Sequence, residues 1–552
     1  MQNRYSGICV ECGDRVEAGM GIAFKDGGRW KVAHHPGTCV IEDPWEGVNF
    51  DPYQQAVIDS LAAGKEGKHI SVNAKPGSGK TTVETFSIVN AIKSASATPL
   101  KCICIAFGNE DGKRMRKKLR NAAEGLTTHS LGRSMVSRRW RGSKLNKRKD
   151  FELVEACVVL PDEKETSLMR EWVMEIIAKI KADAVDPEDA EGFKAVIESY
   201  ELDIPPAYEE QGIKLAMECV QVGMDIMAWG YNFDDMVYLP AVCNLVFPVY
   251  DIVGVDEVQD FNRAQLIIVQ KLIATGARVI AVGDPRQSLY LFRGARHNSF
   301  ELIRNALAET DKGVEDLPMP ICYRCCTAVI ERLQRLVPDI QARPGAPEGL
   351  VDLSLNITEM VEMVGAGDLV ISRTNRPLIQ FARVCNVLGK KFYLRGGMQE
   401  ANLIIWLIKL LTEKTGEPTE DIGELLNRLG DWMKERAQRC SPYRMIDHAG
   451  RAEVIKLTSE RCMNVKELID EVKRLFSPPK NPEECIIIST IHRAKGSEAD
   501  RVFHIRPQDC PHPKASTPEQ LIQEENAVIV AESRAAEAYY ECIGEVAQIS
   551  VA

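Results

Sequence analysis

The clearest chemistry in this chain lies at residues 69–86, HISVNAKPGSGKTTVETF, which read as an apolar strand, a Gly-rich turn and the start of a helix. Ala74 opens the turn, Gly77, Ser78 and Gly79 form it, and Lys80, Thr81 and Thr82 follow. Glycines let backbone N–H groups curl around phosphate oxygens, and the positive end of the helix favours the same anion. At this spacing Lys80 reaches β- and γ-phosphates, and the Thr81 hydroxyl sits on Mg²⁺. Ala74 replaces the usual first glycine, where any small residue suffices.

Two later stretches supply the partners such a loop needs. YDIVGVDEVQD (250–260) is an apolar strand ending in acids. Asp256 is positioned to hold Mg²⁺ through water, and Glu257 to polarise an attacking water as general base. ARVIAVGDPRQSLYLFRGA (277–295) is a second such strand, and Gln287 beyond it is a candidate γ-phosphate sensor. Tyr290, Phe292 and Arg293 follow at once, and aromatic rings beside a phosphate sensor suggest stacked bases.

A different chemistry opens the chain. Cys9 and Cys12, two residues apart, are followed by hairpin signals, then His34, His35 and Cys39. This spacing predicts a Cys₃His zinc site of Cys9, Cys12, Cys39 and either His34 or His35. About 45 residues with so few large apolar side chains need a metal to fold alone.

The elements that position these groups read as alternating apolar strands and helical stretches, hence parallel α/β sheets. One sheet is expected from the strand before the turn plus 102–107, 250–255 and 277–282. A second is expected from 368–372, 391–395, 486–490 and 501–505. At 552 residues the chain is too long for one core. Its 45% hydrophobic and 27% charged residues are those of a soluble protein, and its net charge of −10 does not advertise nucleic acid. Any such partner must meet a local basic surface, and residues 112–150 carry fourteen Lys/Arg against Glu124 and Asp150. Each phosphate neutralised there adds about 0.9 to the salt slope on duplex DNA. No signal peptide or membrane span is expected, since the longest apolar run, 402–411, is short and broken by Lys409. Seventeen cysteines scattered mostly in apolar stretches read as reduced thiols of a cytoplasmic protein.

Further segments carry a resemblance. FDPYQQAV (50–57), CICIAFGNEDGKRM (102–115), TTHSLG (127–132), GYNFDDM (230–236), ICYRC (321–325), ISRTNRPL (371–378), IIISTIHRAKGSEADRVF (486–503) and EENAVIVAESRAAEAYY (524–540) occur in that order. With the phosphate loop and paired acids, they resemble the UvrD/Rep-type superfamily 1 DNA helicases, and the compact F-box DNA helicase branch in particular. The resemblance implies that Gln54 reads adenine, Tyr323 stacks on it, and Glu498 contacts ribose or phosphate-side groups. It implies that Arg324 meets the γ-phosphate and that Arg534 is an arginine finger. Phe107, Thr128, His129, Thr490 and His492 are implied to face DNA or couple it to ATP. Departures are Phe292 for Trp, Ser497 for Leu, Glu532-Ser533 before Arg534, and Cys322 and Cys325 in place of Asn and Ser around the Tyr-Arg pair.

The fold implied is α/β, with two RecA-like P-loop cores, each carrying a mostly helical insertion, and a small N-terminal zinc module. The expected boundaries are 1–46 for the zinc module, 47–111 and 206–300 for the first core, and 112–205 for its basic and helical insertion. The second core is expected at 301–395 and 484–552, with a small helical insertion at 396–483. The implied activity is an ATP- and Mg²⁺-dependent helicase or translocase on single-stranded DNA, walking 3′→5′. Expected partners are single-stranded DNA, single-strand/duplex junctions and replication or repair proteins, with the chain itself a monomer. The alternative is a zinc-containing nucleic-acid-binding ATPase that remodels protein–DNA or RNA complexes without processive unwinding.

Overall fold

Continuous apolar runs such as ISV, CICIA, IVGV and VIAV become strands covered on both faces, as parallel strands must be. The computed structural model describes residues 2–9, 15–26, 29–35, 45, 47–95, 99–120, 122–200, 202, 204–289, 298–395, 397–413, 419–438, 442–477, 479, 481–513, 515, 517–544 and 546. The chain divides into two units, one up to Pro320 and one from Ile321.

The first unit opens with short antiparallel pairs, β1 (Gly7–Ile8) with β2 (Arg15–Val16) and β3 (Gly21–Asp26) with β4 (Arg29–His34). Helix α1 (Pro52–Ala62) then leads to a parallel sheet. Its strands are β5 (His69–Ala74), β6 (Cys102–Ala106), β7 (Glu124–Thr127), β8 (Ile252–Val255), β9 (Arg278–Gly283) and β10 (Val314–Met319), in the spatial order β10-β5-β9-β8-β6-β7. Ile70 lies opposite Ile280, and Ile103 opposite Val253, so the apolar runs share one register. Helices α2 (Lys80–Ser94), α3 (Asn109–Leu119) and α4 (Thr128–Arg139) follow β5, β6 and β7. Helices α5 (Lys149–Cys157), α6 (Glu163–Asp183), α7 (Ala190–Ser199) and α8 (Pro206–Gly223) enclose a separate apolar core that includes Met169, Ile176, Phe193 and Val220.

Three boundaries differ from the sequence reading, one being the end of the helical insertion: α8 (Pro206–Gly223), expected in the first core, packs with α5, α6 and α7. Residues 301–320, expected in the second core, belong to the first unit, because β10 pairs along β5 with Val314 opposite His69. Its residues VEDLPM include two acids, so this edge strand does not read as an apolar run. The 112–205 insertion also starts later, since most of α3, all of β7 and α4 are part of the first sheet and its cover.

The second unit pairs β11 (Ile321–Cys322) with β12 (Gln341–Ala342), and builds a second parallel sheet. Its strands are β13 (Leu350–Asn356), β14 (Leu369–Ser372), β15 (Phe392–Leu394), β16 (Ile486–Thr490), β17 (Ala499–Ile505) and β18 (Ala535–Ile543), in the order β13-β18-β17-β14-β16-β15. Between β15 and β16 four helices, Gly397–Glu413, Ile422–Ala437, Pro442–Ser459 and Val465–Phe476, turn apolar faces into the same core. Among the described residues no helix is long and apolar enough to cross a membrane.

Candidate nucleotide site

The phosphate loop joins the carboxyl end of β5 to α2. Gly77 and Gly79 adopt positive φ of 69° and 82°, which glycine allows without steric cost. Gly79 is the N-cap of α2, and Lys80 its first residue. Gln54 closes the loop from outside. It sits in a capping box with Asp51 at the start of α1, and its side-chain amide donates to the Ser78 carbonyl at 3.0 Å.

The carboxyl ends of β8 and β9 bring the acids and the sensor to this loop. Thr81 Oγ1 donates to Asp256 Oδ2 at 2.7 Å, and Lys80 Nζ lies 2.9 Å from Glu257 Oε1. Glu257 has φ of 54°, a left-handed backbone that costs a non-glycine residue and recurs at functional sites. Burial, with the neighbouring Glu257 charge, pushes Asp256 up to about 6, against the pull of Lys80 and the Thr81 hydroxyl. Burial works against the charge on Lys80, but Glu257, Asp284 and Asp256 outweigh it and its pKa is raised. Hydroxyl and carboxylate oxygens are the donors a hard cation takes, so Thr81 and Asp256 suit Mg²⁺.

Three participants had no sequence signal of their own. Gln259, two residues past Glu257, donates to Glu257 Oε2, while its amide oxygen accepts from the Asp284 N–H at 3.0 Å. Asp284 Oδ2 accepts from Gln287 Nε2 at 2.6 Å, so Gln259 links the candidate base to the candidate sensor. Lys118 on α3 donates to Thr82 Oγ1 at 2.8 Å. Glu84, one turn into α2, is fully buried against Gly254, and neither of its carboxyl oxygens has a hydrogen-bond partner. Burial, reinforced by Asp256 and Glu257, raises its pKa well above the ordinary 4.5 and favours its neutral form.

This last group makes stability pH-dependent. An acid whose pKa is raised on folding favours the folded state below its unfolded pKa and loses that contribution as pH rises. The wild type therefore loses up to about 1.4 kcal/mol per pH unit above its unfolded pKa, relative to Glu84→Gln. Denaturant unfolding of both proteins between about pH 5 and pH 8 checks this. Parallel pH profiles would remove the neutral acid from the account.

Of the residues implied to meet DNA, Phe107 lies beside Phe261 with ring centroids 6.3 Å apart. Thr128 is fully buried, its hydroxyl accepting from Gln265 Nε2 at 2.8 Å, so in this conformation it is turned from any phosphate. His129 is half-buried, and burial lowers its pKa. Tyr290, Phe292 and Arg293 lie outside the described residues. The basic stretch is thinner than its count suggests: Lys149 is buried in an ion pair with Asp235, Lys118 serves α2, and Arg116 donates to the Gly125 carbonyl at 2.9 Å. Arg133, Arg138, Arg139, Arg141, Lys144, Lys147 and Arg148 remain exposed.

In the second unit, Arg324 Nε lies 2.7 Å from Glu498 Oε2, and its Nη1 donates to the Ser533 carbonyl at 3.1 Å. Arg534 is buried and donates to the carbonyls of Val530 and Ser497 at 2.9 and 3.1 Å. Tyr323 is exposed, Thr490 caps the short helix Ile491–Ala494, and His492 lies within it. Arg324, Glu498 and Arg534 are thus gathered in one place, while Lys80, Thr81, Asp256, Glu257 and Gln287 are gathered in the first unit. At the N-terminus, Cys9 is buried with Val16 and Ala33, and His35 is exposed. Cys12, Cys39 and the His34 side chain lie outside the described residues. Among the described residues no group of three or more His, Cys, Asp or Glu is arranged to hold a metal.

Comparison with known proteins bears on the family rather than on single residues. Residues 56–308 match the UvrD/REP helicase N-terminal domain. The ATP-dependent DNA helicase PcrA of Leuconostoc citreum is 24% identical over 259 residues, covering 41% of this chain and 32% of the relative. The ATP-dependent DNA helicase Rep of Salmonella typhimurium is 27% identical over 260 residues, 42% of this chain and 36% of the relative. Rep of Escherichia coli is 26% identical over 284 residues, 46% of this chain and 39% of the relative. The chain therefore spans about a third to two-fifths of the length of these relatives. The matched domain, the Lys-Thr phosphate loop and the paired acids together support distant kinship with the UvrD-type superfamily 1 helicases, through a UvrD/REP helicase N-terminal domain at residues 56–308.

Proposed function

We propose that this chain is an ATP-dependent DNA helicase or translocase that moves on single-stranded DNA 3′→5′, by hydrolysing ATP between two RecA-like cores. The observation that carries the reading is the double link of Lys80 to Glu257 and Thr81 to Asp256 beneath a glycine loop. In it Lys80 exchanges Glu257 for the β- and γ-phosphates of ATP, which frees Glu257 to take a proton from the attacking water. Mg²⁺, held by Thr81 and Asp256, would neutralise charge on the phosphate oxygens. Gln287 orients toward the γ-phosphate and passes its presence through Asp284 and Gln259 to Glu257. Gln54 and Tyr323 hold adenine, and Glu498 the ribose side. Arg324 and Arg534 stabilise charge on the transferring phosphoryl, an effect worth about 10³–10⁵ in rate where an arginine finger acts. Arg534 must first leave its carbonyl partners, so we assign its engagement to a conformational step.

DNA is proposed to run past Phe107, His129, Thr490 and His492, with Tyr290, Phe292 and Arg293 stacking or clamping bases. Residues 133–148 supply phosphate contacts. The Cys9, Cys12, Cys39 and His34 or His35 zinc module is proposed as a separate docking or stability device, and the metal content of the purified chain tests it. The function itself predicts ATP turnover that rises severalfold with single-stranded DNA, and unwinding of duplexes bearing a 3′ tail but not of those bearing a 5′ tail. Turnover unchanged by any polynucleotide would sink the motor, and stimulation by RNA alone would redirect it.

A further inference from the structure

The Tyr323-Arg324 pair is bracketed by Cys322 and Cys325, a Cys-x-x-Cys spacing that the proposed catalytic roles do not use. Both thiols are fully buried, whereas Tyr323 between them is 37% exposed. The Cys325 backbone N–H donates to Cys322 Sγ at 3.4 Å, which folds the second cysteine back over the first. Cys325 Sγ also lies 3.7 Å from the Ser533 carbonyl oxygen, the acceptor that holds Arg324 Nη1 at 3.1 Å. Cys326 is spent elsewhere, its Sγ 3.3 Å from the Glu537 carbonyl oxygen.

We propose that Cys322 and Cys325 form a reversible disulfide under peroxide, and that this bond shifts Arg324 and silences the nucleotide site. The consequence for turnover rests on the function proposed above; the bond itself does not. The chemistry suits the pair. The Cys325 thiol, helped by the Cys325 and Arg324 backbone N–H groups and the Arg324 charge, holds Cys322 near 6, well below an ordinary thiol. Cys325 is raised well above its usual value by the same contact and by burial, and so keeps its proton until it resolves the intermediate. A thiolate beside a resolving thiol is the arrangement of redox-sensing cysteines.

The Cys322 thiolate attacks one peroxide oxygen, the O–O bond breaks, and hydroxide leaves to be protonated as water. Cys322 is then a sulfenic acid. Cys325 gives up its proton and its sulfur attacks Cys322 Sγ; the S–O bond breaks and a second water leaves. The two thiols have lost two electrons, and the peroxide has gained them. Closing this bond pulls Cys325 Sγ from the Ser533 carbonyl and draws the intervening Tyr323-Arg324 turn tighter, so Arg324 loses the geometry it shares with Glu498.

Trypsin cleaves after Arg324, between the two cysteines, which makes the bond directly legible. After mild hydrogen peroxide the two flanking tryptic peptides should run joined without reductant and separate with dithiothreitol. ATP turnover should fall about tenfold or more and recover on reduction, given the rate an arginine contributes at a transferring phosphoryl. Cys325→Ser puts a serine where the resembled family has one; it should leave basal turnover in place, abolish the crosslink and leave Cys322 trappable as sulfenic acid. A crosslink that persists in Cys325→Ser assigns it to Cys326 and overturns the pairing. Oxidation of other cysteines with these two peptides unjoined overturns the site, and a joined pair with unchanged turnover overturns the switch. Reduced protein without any turnover counts against the proposed function and leaves the mapping of the bond valid.

Discussion

On the proposed function, Lys80→Ala is expected to lower ATP turnover by about 10²–10³-fold or more while leaving the fold in place, because a clamp on transferring phosphate acts where charge develops. In the structure Lys80 is the cation facing three acids, Glu257, Asp284 and Asp256. Removing it leaves those acids to repel the phosphates, so affinity for ATP falls along with the rate. The folded state loses one partly shielded ion pair, its side chains retaining 12% and 22% exposure, and with it a lysine whose charge burial opposes, so the two effects offset and the net change is small. Circular dichroism and thermal melting should therefore superpose on wild type while turnover disappears. Turnover at the wild-type rate in this variant would refute the site. Loss of turnover with collapse of the melting transition would instead mark Lys80 as structural.

Much of this site was legible because its parts are local. The glycines, Lys80 and Thr81 sit within one strand-turn-helix, and the strands before Asp256 and Gln287 are unbroken apolar runs, the pattern of doubly covered parallel strands. The edge strands β7, β10 and β13 escaped that pattern, since Glu124, Glu315, Asp316 and Asp352 interrupt them with charge. Gln259, Lys118 and Glu84 were invisible for another reason. A glutamine after two acids, a lysine on a basic helix and a glutamate one turn into a helix are ordinary residues; only the fold makes them a bridge, a tether and a buried acid. The basic stretch misled in the opposite direction, because a charge count cannot tell Arg138, which is exposed, from Lys149, which is buried.

Lys149 belongs to the feature with the second large expected effect. Lys181→Met destabilises the helical part of the first unit by about 3–5 kcal/mol, the cost of removing one partner from a buried ionic cluster. Lys181 Nζ lies 2.6 Å from Asp150 Oδ1 and 2.8 Å from Asp235 Oδ1, and Lys149 Nζ lies 2.6 Å from Asp235 Oδ2. The cluster ties α5 and α6 to helix Asp235–Val242 with two cations and two anions, all nearly sealed from water. Desolvation opposes the charge on Asp235, but Lys181 and Lys149 outweigh it and hold its pKa below the usual 3.8. Its stabilisation is thus present above the unfolded pKa and is lost as pH falls through the lower folded one. With Lys181 gone, Asp150 loses the ammonium it pairs with and Asp235 keeps only Lys149, so buried carboxylate oxygens are left without a cation beside them. Lys149→Met should cost less, because Lys181 still bridges both acids. Denaturant unfolding followed by the fluorescence of Trp172, which packs on Tyr208 within this helical core, measures the difference. A Lys181→Met change within about 0.5 kcal/mol of wild type, the range of ordinary surface substitutions, would show that the cluster is not sealed as drawn. The same acid, Asp235, accepts from the Asn232 N–H at 3.1 Å, so the motif that reads GYNFDDM is held in place by lysines far away in sequence.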